Sequence, residues 1–445
     1  MQQVVMKIFQ GFVLCTLLLG GHIGVVRAAD KTDTTDTTTD TTTATSTSSA
    51  AIIYVTSGTE VAVPTGTYLT YTTDSTVSSA NITTNATATG NITTTTSGTR
   101  VVVVGTGVSN TTSTGSSTSP INTQACNGYT EFCERKYSNI TMVTAHNSPF
   151  VKKNNIASNQ YYKVTTQLDD GVRMLSFEAH YYEDDIYLCH SSCELLNMGT
   201  LEDYLSTVTS WIEKNPYDVV TILIVNSDYV SPSNFSAPIR NSGLINYAYE
   251  PWKIPMSLDD WPTLSEMILA GKHAVVFMDY QANQTAYPYI LDEFSQMWET
   301  PFSPMNRSFP CTVQRPPGIS TAEAEDRMYM INHNLNLEVI LGGSDILIPD
   351  SAHINITNAV SGYGSLGLMA NNCRKWDRPP NFLLVDFYNE GNFAGSVFEV
   401  AAEMNNVTYD GKCCGQKSGA ASMIYCGSHL HIGLFLLSLL LLCTP

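Results

Sequence analysis

The composition of the chain changes sharply at Cys126, and this change limits which part can form a packed fold. From Asp30 to about Thr123 the sequence is dominated by Thr and Ser, with runs such as Thr93–Thr96. Such a stretch cannot bury enough apolar surface to offset the entropy lost on ordering it. We therefore predict a disordered, O-glycosylated stalk over 29–123, with short strands at most at its two apolar patches, 51–55 and 101–104. One folded domain is predicted over 124–414, where aromatic residues, cysteines and alternating strand and helix patterns appear.

The two ends of the chain have the features of targeting segments. Lys7 precedes an apolar run from Ile8 to Leu19, and small residues follow near Ala28, which predicts a secretory signal peptide over 1–28. The apolar run from Ile432 to Cys443 is shorter than the roughly 20 residues that a membrane span needs. With the small residues upstream of it, this tail is typical of a GPI-attachment signal over 415–445. The attachment residue stays open among four small residues, Gly415, Ser418, Gly419 and Ala420.

These ends predict an extracellular protein that is held at the cell surface, on the outer membrane leaflet or the cell wall, through a GPI anchor. Charge excludes another class of partner. The formal net charge is -18 and only 14% of residues are charged, so the chain lacks the clustered Lys and Arg of a nucleic-acid binder. The sequence does not indicate an oligomeric state.

Cysteines and glycosylation acceptors fit an exported chain. An even set of cysteines lies in the folded domain without CxxC zinc spacing, which predicts disulfides whose pairing stays open: Cys126, Cys133, Cys189, Cys193, Cys311, Cys373, Cys413 and Cys414. Asn-x-Ser/Thr acceptors occur along most of the chain, at Asn81, Asn85, Asn91, Asn110, Asn139, Asn234, Asn283, Asn306, Asn355 and Asn406.

Strand and helix patterns alternate through the folded domain. Apolar residues from Leu201 to Ile212 recur at helical spacing, and the nearly continuous apolar run Asp218–Val225 is typical of a parallel strand covered on both faces. Further strands are predicted at 142–146, 172–179, 186–190, 273–278, 328–331 and 382–386, with a helix over 393–404. This alternation predicts an α/β fold, a TIM-type (β/α) barrel that can be irregular, with an open doubly wound sheet as the alternative.

Several predicted strands end in a residue that could carry chemistry, which is where a parallel barrel places its catalytic side chains. These residues are His146, then Glu178 with His180, then His190, and finally Asp386. Because side chains alternate along a strand, four sets should share the inward face: 142, 144 and 146; 174, 176, 178 and 180; 186, 188 and 190; 382, 384 and 386. Arg173 falls on the opposite face and is expected to form a structural pair at the bottom of the barrel.

The motifs Thr144–Ser148, Gly171–Glu178 and Leu188–His190 resemble the X region of phosphatidylinositol-specific phospholipases C. The segment 386–390 resembles the late strand that supplies an aspartate in the bacterial enzymes. The order of these motifs, with Cys126 and Cys133 ahead of them, is similar to fungal phospholipase-C-like phosphodiesterases, which form TIM barrels.

The resemblance implies a two-histidine reaction on a phosphodiester. His146 would be the general base, His190 the general acid, and Asp386 would orient His146. Imidazole suits both roles because its ordinary pKa is about 6.5. From its position on the second strand, His180 is a candidate contact of the substrate phosphate, with capping of the strand in solvent as the alternative.

Two positions depart from the bacterial pattern of Asp and Arg, since they hold Asn147 and Glu178. Eukaryotic family members have Asn and acidic residues there and bind Ca²⁺ through them. Asn147 and Glu178 are therefore candidate ligands of a Ca²⁺ ion that would replace the missing arginine. Ser176 stands at one position where a carboxylate would be expected, and Val225 or Asn226 stands at another, so a metal-independent site is the alternative.

The predicted function is a cell-surface phosphoric diester hydrolase, of the phospholipase C type, that acts on phosphoinositide-type lipids or glycolipid head groups. One alternative is a catalytically inactive barrel that serves as a surface-binding glycoprotein. Another is a glycerophosphodiester or sphingomyelin-type hydrolase, which would need a second carboxylate near Glu178. His333 is expected to be structural, and Asp169 with Asp170 to form a turn.

Overall fold

The computed structural model describes residues 54–56, 68–69, 75–76, 124–341, 344–411 and 413–414. The chain divides into two compact units, and everything described belongs to the second, Ala51–Pro445. The predicted signal peptide, the GPI-attachment segment after 414, the apolar patch 101–104 and most of the predicted stalk lie outside the described residues. Within the part that is described, no helix has both the length and the apolar composition needed to cross a membrane.

The strands of the described part are β1 (Tyr54–Thr56), β2 (Ser75–Thr76), β3 (Met142–Ala145), β4 (Met174–Tyr182), β5 (Asp185–Cys189), β6 (Asn197–Thr200), β7 (Val220–Asn226), β8 (Lys253–Ile254), β9 (Ala274–Met278), β10 (Leu291–Asp292), β11 (Met297–Glu299), β12 (Met328–Asn332), β13 (Asn336–Leu341), β14 (Ser344–Pro349) and β15 (Phe382–Val385).

The helices are α1 (Val164–Asp170), α2 (Leu201–Lys214), α3 (Ser233–Asn241), α4 (Leu264–Leu269), α5 (Glu293–Gln296), α6 (Thr321–Asp326), α7 (Ile354–Thr357), α8 (Leu366–Cys373) and α9 (Ser396–Asn405). Short 3-10 helices lie at Thr130–Phe132, Tyr137–Asn139, Leu244–Asn246, Leu258–Asp260 and Arg374–Trp376.

Eight parallel strands form a barrel in the order β10-β9-β7-β4-β3-β15-β12-β11. The last strand pairs with the first, with Phe382 opposite Met142 and Val385 opposite Ala145. In a doubly wound sheet the last strand would instead lie at an edge, so the TIM-type prediction is confirmed and the alternative is wrong. β10 and β11 stand at the two ends of this order and do not pair with each other, although only α5 separates them in the chain. The barrel is therefore open between β10 and β11, and this gap is called the seam.

Side chains alternate between two packed layers, as expected for parallel strands. The barrel interior holds Met142, Met174, Phe382 and Leu384, together with residues of the other strands. The layer between the strands and the surrounding helices holds the intervening residues, such as Val143, Leu175 and Leu383. The prediction that positions 142, 174, 382 and 384 face the barrel interior is therefore confirmed.

The predicted strand 186–190 is not a barrel strand. β4 extends beyond the parallel sheet and turns back at Glu183 and Asp184, both with positive φ, as a two-residue hairpin requires. β5 then pairs antiparallel with β4 and with β6, and Ile186 and Leu188 lie in the outer core layer. The prediction that these two residues face the barrel interior is wrong, because the hairpin carries them outside it.

Two short strands come from the region predicted as a stalk. β1 pairs antiparallel with β13, which itself forms a hairpin with β14, and β2 pairs antiparallel with β8. The disulfides join all eight cysteines of the folded domain, as Cys126–Cys133, Cys189–Cys193, Cys311–Cys373 and Cys413–Cys414. The prediction that these cysteines form disulfides is confirmed.

The bottom of the barrel is held by an ion pair. The Arg173 guanidinium donates to Asp218 Oδ1 from Nε at 3.1 Å and from Nη2 at 2.9 Å, and donates from Nη1 to the carbonyl oxygen of Leu168. The prediction of a structural role for Arg173 is thus confirmed. Asp169 and Asp170 end helix α1, and Gly171 closes it with φ 111°, a left-handed conformation that favours glycine.

Candidate active site

His146 follows directly after β3 at the carboxyl end of the barrel. Its backbone N–H donates to the Val385 carbonyl at 3.0 Å, which continues the pairing of β3 with β15. Gln160 Nε2 donates to the carbonyl oxygens of His146 (2.8 Å) and Val385 (3.0 Å). The backbone at His146 is therefore held by hydrogen bonds to β15 and to the side chain of Gln160.

Asp386 lies directly behind the His146 ring. Its Oδ1 is 2.7 Å from His146 Nδ1 and also accepts a hydrogen bond from Asn159 Nδ2 at 2.8 Å. The carboxylate is only 2% exposed, so water does not compete for it. Because this contact holds the proton on Nδ1, Nε2 is the ring atom with a free lone pair. The structure brings the predicted pair of His146 and Asp386 together.

Asn334 completes the surroundings of the His146 imidazole. Its Nδ2 lies 3.4 Å from Nδ1 and 3.5 Å from Nε2, so the amide lies across the face of the ring. Asn159 and Asn334 were not predicted from the sequence. Asn159 lies in a loop far along the chain from Asp386, and Asn334 lies in a loop far from β3. No local pattern distinguishes them from the many other loop asparagines.

Asn147 and Glu178 contact each other beside His146. Asn147 has φ 48°, a left-handed conformation that Asn adopts more readily than most residues, and its Oδ1 accepts from the Glu178 backbone N–H at 3.2 Å. Asn147 Nδ2 lies 3.4 Å from Glu178 Oε1. Glu178 Oε2 accepts from the Ser191 backbone N–H at 2.7 Å. The carboxylate thus joins the ends of the first and second barrel strands to the loop that carries His190.

The environment of Glu178 keeps its carboxyl group ionised. Burial by itself would raise the pKa of Glu178. The nearby His190 and the Ser191 N–H act in the opposite direction, as do His180 and His146, and together they hold the pKa below its usual value. Glu178 is therefore the negative group on which all three predicted histidines converge.

His190 is presented by the small loop that the Cys189–Cys193 disulfide closes. Its ring is buried, with Nδ1 3.1 Å from Ser191 Oγ and the Phe150 ring packed edge-on at 5.3 Å between centroids. His180 lies further out on β4, where its Nδ1 is 3.0 Å from Asp228 Oδ1. His180 Nε2 is buried and has no hydrogen-bond partner among the described residues.

The donors around Asn147 and Glu178 do not fit a Ca²⁺ ion, which takes about six to eight oxygen ligands. Among the described residues, Glu178 is the one carboxylate at this point, one of its oxygens binds the Ser191 N–H, and its charged neighbours are histidines. Among the described residues, the cluster of three potential metal ligands is instead Asp170 with Cys413 and Cys414, whose sulfurs are bonded to each other.

The model of the PI-PLC X 1 family matches residues 132–405, which is more than half of the chain and contains every strand of the barrel. The chain belongs to the PI-PLC X family. This confirms the resemblance that the His146, Glu178 and His190 motifs indicate in the sequence.

Relatives of the chain include fungal and plant proteins. The chain is 62% identical over 304 residues to an uncharacterized secreted protein of Arthroderma benhamiae, covering 68% of this chain and 69% of that one. It is 41% identical over 271 residues to PI-PLC X domain-containing protein 1 of the same fungus, covering 60% of this chain and 86% of that one. A PI-PLC X domain-containing protein of Arabidopsis thaliana is 28% identical over 260 residues, covering 56% and 55%.

Solved structures with similarity to the chain include phosphatidylinositol-specific phospholipases C of bacteria. One from Staphylococcus aureus that contains pentafluorophenylalanine has 16% identity and a TM-score of 0.38, covering 62% of this chain and 94% of that one. One from Listeria monocytogenes has 12% identity and a TM-score of 0.37, covering 62% and 95%.

The far side of the X-family barrel mouth holds a buried arginine that was not predicted from the sequence. Arg315 donates to Glu299 Oε2 at 3.1 Å and to Asp279 Oδ2 at 3.3 Å, at the ends of β11 and β9. Burial raises the pKa of Asp279 to about 6 and raises that of Glu293 well above its usual value. Arg315 thus neutralises acidic groups next to the seam and does not take the place of the missing phosphate-binding arginine.

His333 has the surroundings of a structural residue, as predicted. It is buried, its Nε2 lies 2.8 Å from the Thr357 carbonyl oxygen, and its ring packs on Phe309 at 3.8 Å between centroids. Burial lowers the pKa of His333 to about 3, so the ring is neutral at physiological pH.

Proposed function

We propose that the chain is a secreted phosphodiesterase that cleaves a phosphoinositide-type lipid or a glycolipid head group by general base and general acid catalysis. The observation that carries this proposal is the contact of 2.7 Å between His146 Nδ1 and Asp386 Oδ1 at the carboxyl end of the barrel. A buried carboxylate behind one ring nitrogen leaves the other nitrogen to take a proton, as base catalysis requires.

The first chemical step is the attack of a substrate hydroxyl on phosphorus. His146 Nε2 accepts the proton of that hydroxyl while the oxygen forms a bond to phosphorus. The imidazolium that results is stabilised by Asp386. Asn159 and Asn334 keep the carboxylate and the ring in place during this transfer.

The second proton transfer goes to the leaving alcohol. His190 donates it as the phosphorus–oxygen bond breaks, so that the products are a cyclic phosphodiester and a neutral alcohol. Its Nδ1 lies near Ser191 Oγ, which leaves Nε2 to face the leaving group. Ionised Glu178 is the charge partner of His190 across the site. Each proton transfer contributes roughly 10²- to 10⁴-fold to the rate.

The substrate class and the location rest on the relatives. A fungal relative at 62% identity is named as a secreted protein, and two others are named for the PI-PLC X domain. The predicted signal peptide and GPI-attachment segment support the same extracellular location. Ca²⁺ has no role in this proposal, since the described donors supply one carboxylate.

The test is release of water-soluble phosphate ester from phosphatidylinositol vesicles by the purified full chain, with Ca²⁺ or with EDTA. Wild type is compared with His146→Ala and His190→Ala, and His353→Ala is the matched control because His353 forms a similar histidine–carboxylate pair with Asp350 elsewhere. We expect activity in wild type and the control, loss in both site variants, and no effect of EDTA. Activity that survives both site substitutions would refute the mechanism.

A second candidate function is a barrel that binds a phosphate-containing glycolipid without cleaving it. The observation that favours it is that Arg315 forms ion pairs with Asp279 and Glu299. Arg315 is therefore not available to bind phosphate as the arginine of the bacterial enzymes does. Vesicle binding without ester release, by a chain shown to be folded, would establish this function in place of hydrolysis.

A further inference from the structure

The glycosylation acceptors of the described part share two properties. The first property is exposure: Asn234 is half-buried, and the other five acceptors are exposed. These five are Asn139, Asn283, Asn306, Asn355 and Asn406. In the described hydrogen bonds none of these six amide nitrogens is a donor, whereas Asn283 and Asn306 each use Oδ1 as an acceptor within their own turn. Since the amide nitrogen is the atom that carries an N-linked glycan, all six positions are compatible with a glycan on the folded chain.

The acceptors are unevenly distributed around the barrel. Four of them follow barrel strands on the side of the mouth: Asn234 after β7, Asn283 after β9, Asn306 after β11 and Asn355 after β12. The other two, Asn139 and Asn406, lie before β3 and after α9, at the opposite end.

The segments after β15, β3 and β4 contain no Asn-x-Ser/Thr acceptor, although they are rich in asparagine. These three strands are consecutive neighbours in the sheet, so the segments that follow them form one continuous arc of the mouth. The same arc carries His146, His190 and Asp386. Acceptors therefore follow four of the other five barrel strands, all but β10, and none follows the strands on the side of the candidate catalytic residues.

Within this acceptor-free arc, the segment after β3 lacks the acidic residues that are frequent elsewhere in the chain. Ile156 is 58% exposed and Tyr161 is 56% exposed, both in the segment after β3, and Phe393 is 43% exposed in the segment after β15. Lys152 and Lys153 are exposed in the segment after β3, and the sequence has no Asp or Glu from position 146 to 168. Exposed apolar side chains beside lysines, in a segment without acidic residues, suit contact with an anionic lipid surface.

We propose that Asn234, Asn283, Asn306 and Asn355 carry N-linked glycans that cover the part of the mouth formed by the segments after β7, β9, β11 and β12. The arc after β15, β3 and β4 is then the route by which a substrate embedded in a lipid surface reaches the site. The co-reactant is a polyprenyl-diphosphate-linked oligosaccharide: its sugar C1–O bond breaks, a C1–N bond to the Asn amide forms, the amide loses a proton, and the polyprenyl diphosphate leaves. The access route rests on the proposed function, whereas glycan occupancy does not.

Occupancy is tested on the full chain secreted from a eukaryotic host. Enzymatic deglycosylation in ¹⁸O water converts each occupied Asn to ¹⁸O-labelled Asp, which peptide mass spectrometry locates. We expect the label at Asn234, Asn283, Asn306 and Asn355. Unmodified asparagine at these four sites would overturn the glycan proposal regardless of enzymatic activity.

The access route is tested by placing a glycan on the free arc. Ala394→Thr creates an acceptor at Asn392, which is exposed in the segment after β15, and Ala394→Val is the matched control of similar shape without an acceptor. With a glycan at Asn392, we expect turnover of phosphatidylinositol vesicles to be lost, turnover of a short water-soluble phosphodiester to stay at the wild-type rate, and enzymatic deglycosylation to restore the vesicle activity.

Full vesicle turnover by the glycosylated Ala394→Thr variant would overturn the access route. Equal loss in Ala394→Val would also overturn it, because that loss would come from the substitution and not from the glycan. A wild-type chain that cleaves neither substrate would overturn the proposed function and the access route together, and the occupancy result would still stand.

Discussion

Replacing Asp386 by Asn tests whether the carboxylate behind His146 serves catalysis. The substitution keeps the size of the buried side chain and removes its charge. The contact of 2.7 Å joins a ring N–H to an ionised acceptor that is 2% exposed, and a hydrogen bond to a charged group contributes about 1.5–3 kcal/mol. At about 1.4 kcal/mol for each factor of ten, kcat/KM should fall roughly 10- to 150-fold.

The loss should appear in kcat and leave KM nearly unchanged. The imidazolium form of His146 exists only after the proton has moved, so Asp386 stabilises the transition state more than it stabilises the bound substrate. The assay is steady-state hydrolysis of a water-soluble inositol phosphodiester, which separates kcat from KM without the complication of a lipid surface.

The matched control is Asp350→Asn, because Asp350 is also buried and lies 2.7 Å from a histidine, His353. It should leave both constants at their wild-type values. The reasoning is refuted if Asp386→Asn keeps the wild-type kcat while His146→Ala is inactive. An equal decrease in both Asp→Asn variants would point to a general effect on folding.

Two further predictions concern stability. Burial raises the pKa of Asp292 to about 7. The folded state therefore holds a proton that the unfolded chain releases above about pH 4. The free energy of unfolding should decrease as the pH rises from about 4 to about 7. Asp292→Asn, which can still cap helix α5, should remove this fall in calorimetry from pH 5 to 8; an unchanged pH profile would contradict it. The Cys311–Cys373 bridge spans 62 residues and Cys126–Cys133 spans 7, so their double alanine variants should lose about 4 and about 2 kcal/mol in urea unfolding. Equal losses would argue against the chain-entropy explanation.

Much of the barrel could be predicted from the sequence because its strands are strongly patterned. Helix α2 and strand β7 lie within a few residues of their predicted bounds, since Leu201–Ile212 has clear helical spacing and the following run is β-branched. The two strands at the seam, β10 and β11, could not be predicted. They are two and three residues long, too short to show a period of two.

The site was predictable only where one residue stands at the end of a patterned strand. His146 and Asp386 directly follow β3 and β15, and Glu178 stands where the parallel pairing of β4 with β7 ends. Asn159 and Asn334 were missed because their contacts with His146 and Asp386 depend on loop conformation and not on any local repeat. The β5 hairpin was misplaced for a related reason, since alternation within a strand does not tell whether its neighbour is parallel or antiparallel.

The pairing of β15 with β3 has a consequence for the newly made chain. His146 and Asp386 are 240 residues apart, so at usual synthesis rates roughly 10 to 50 seconds pass between their appearances. During that interval β3 has one unpaired edge, which is open to association with other chains. One closure event both covers this edge and brings Asp386 to His146. A chain that stops early therefore lacks the pair on which the proposed hydrolysis depends, so hydrolysis would report that the barrel was completed.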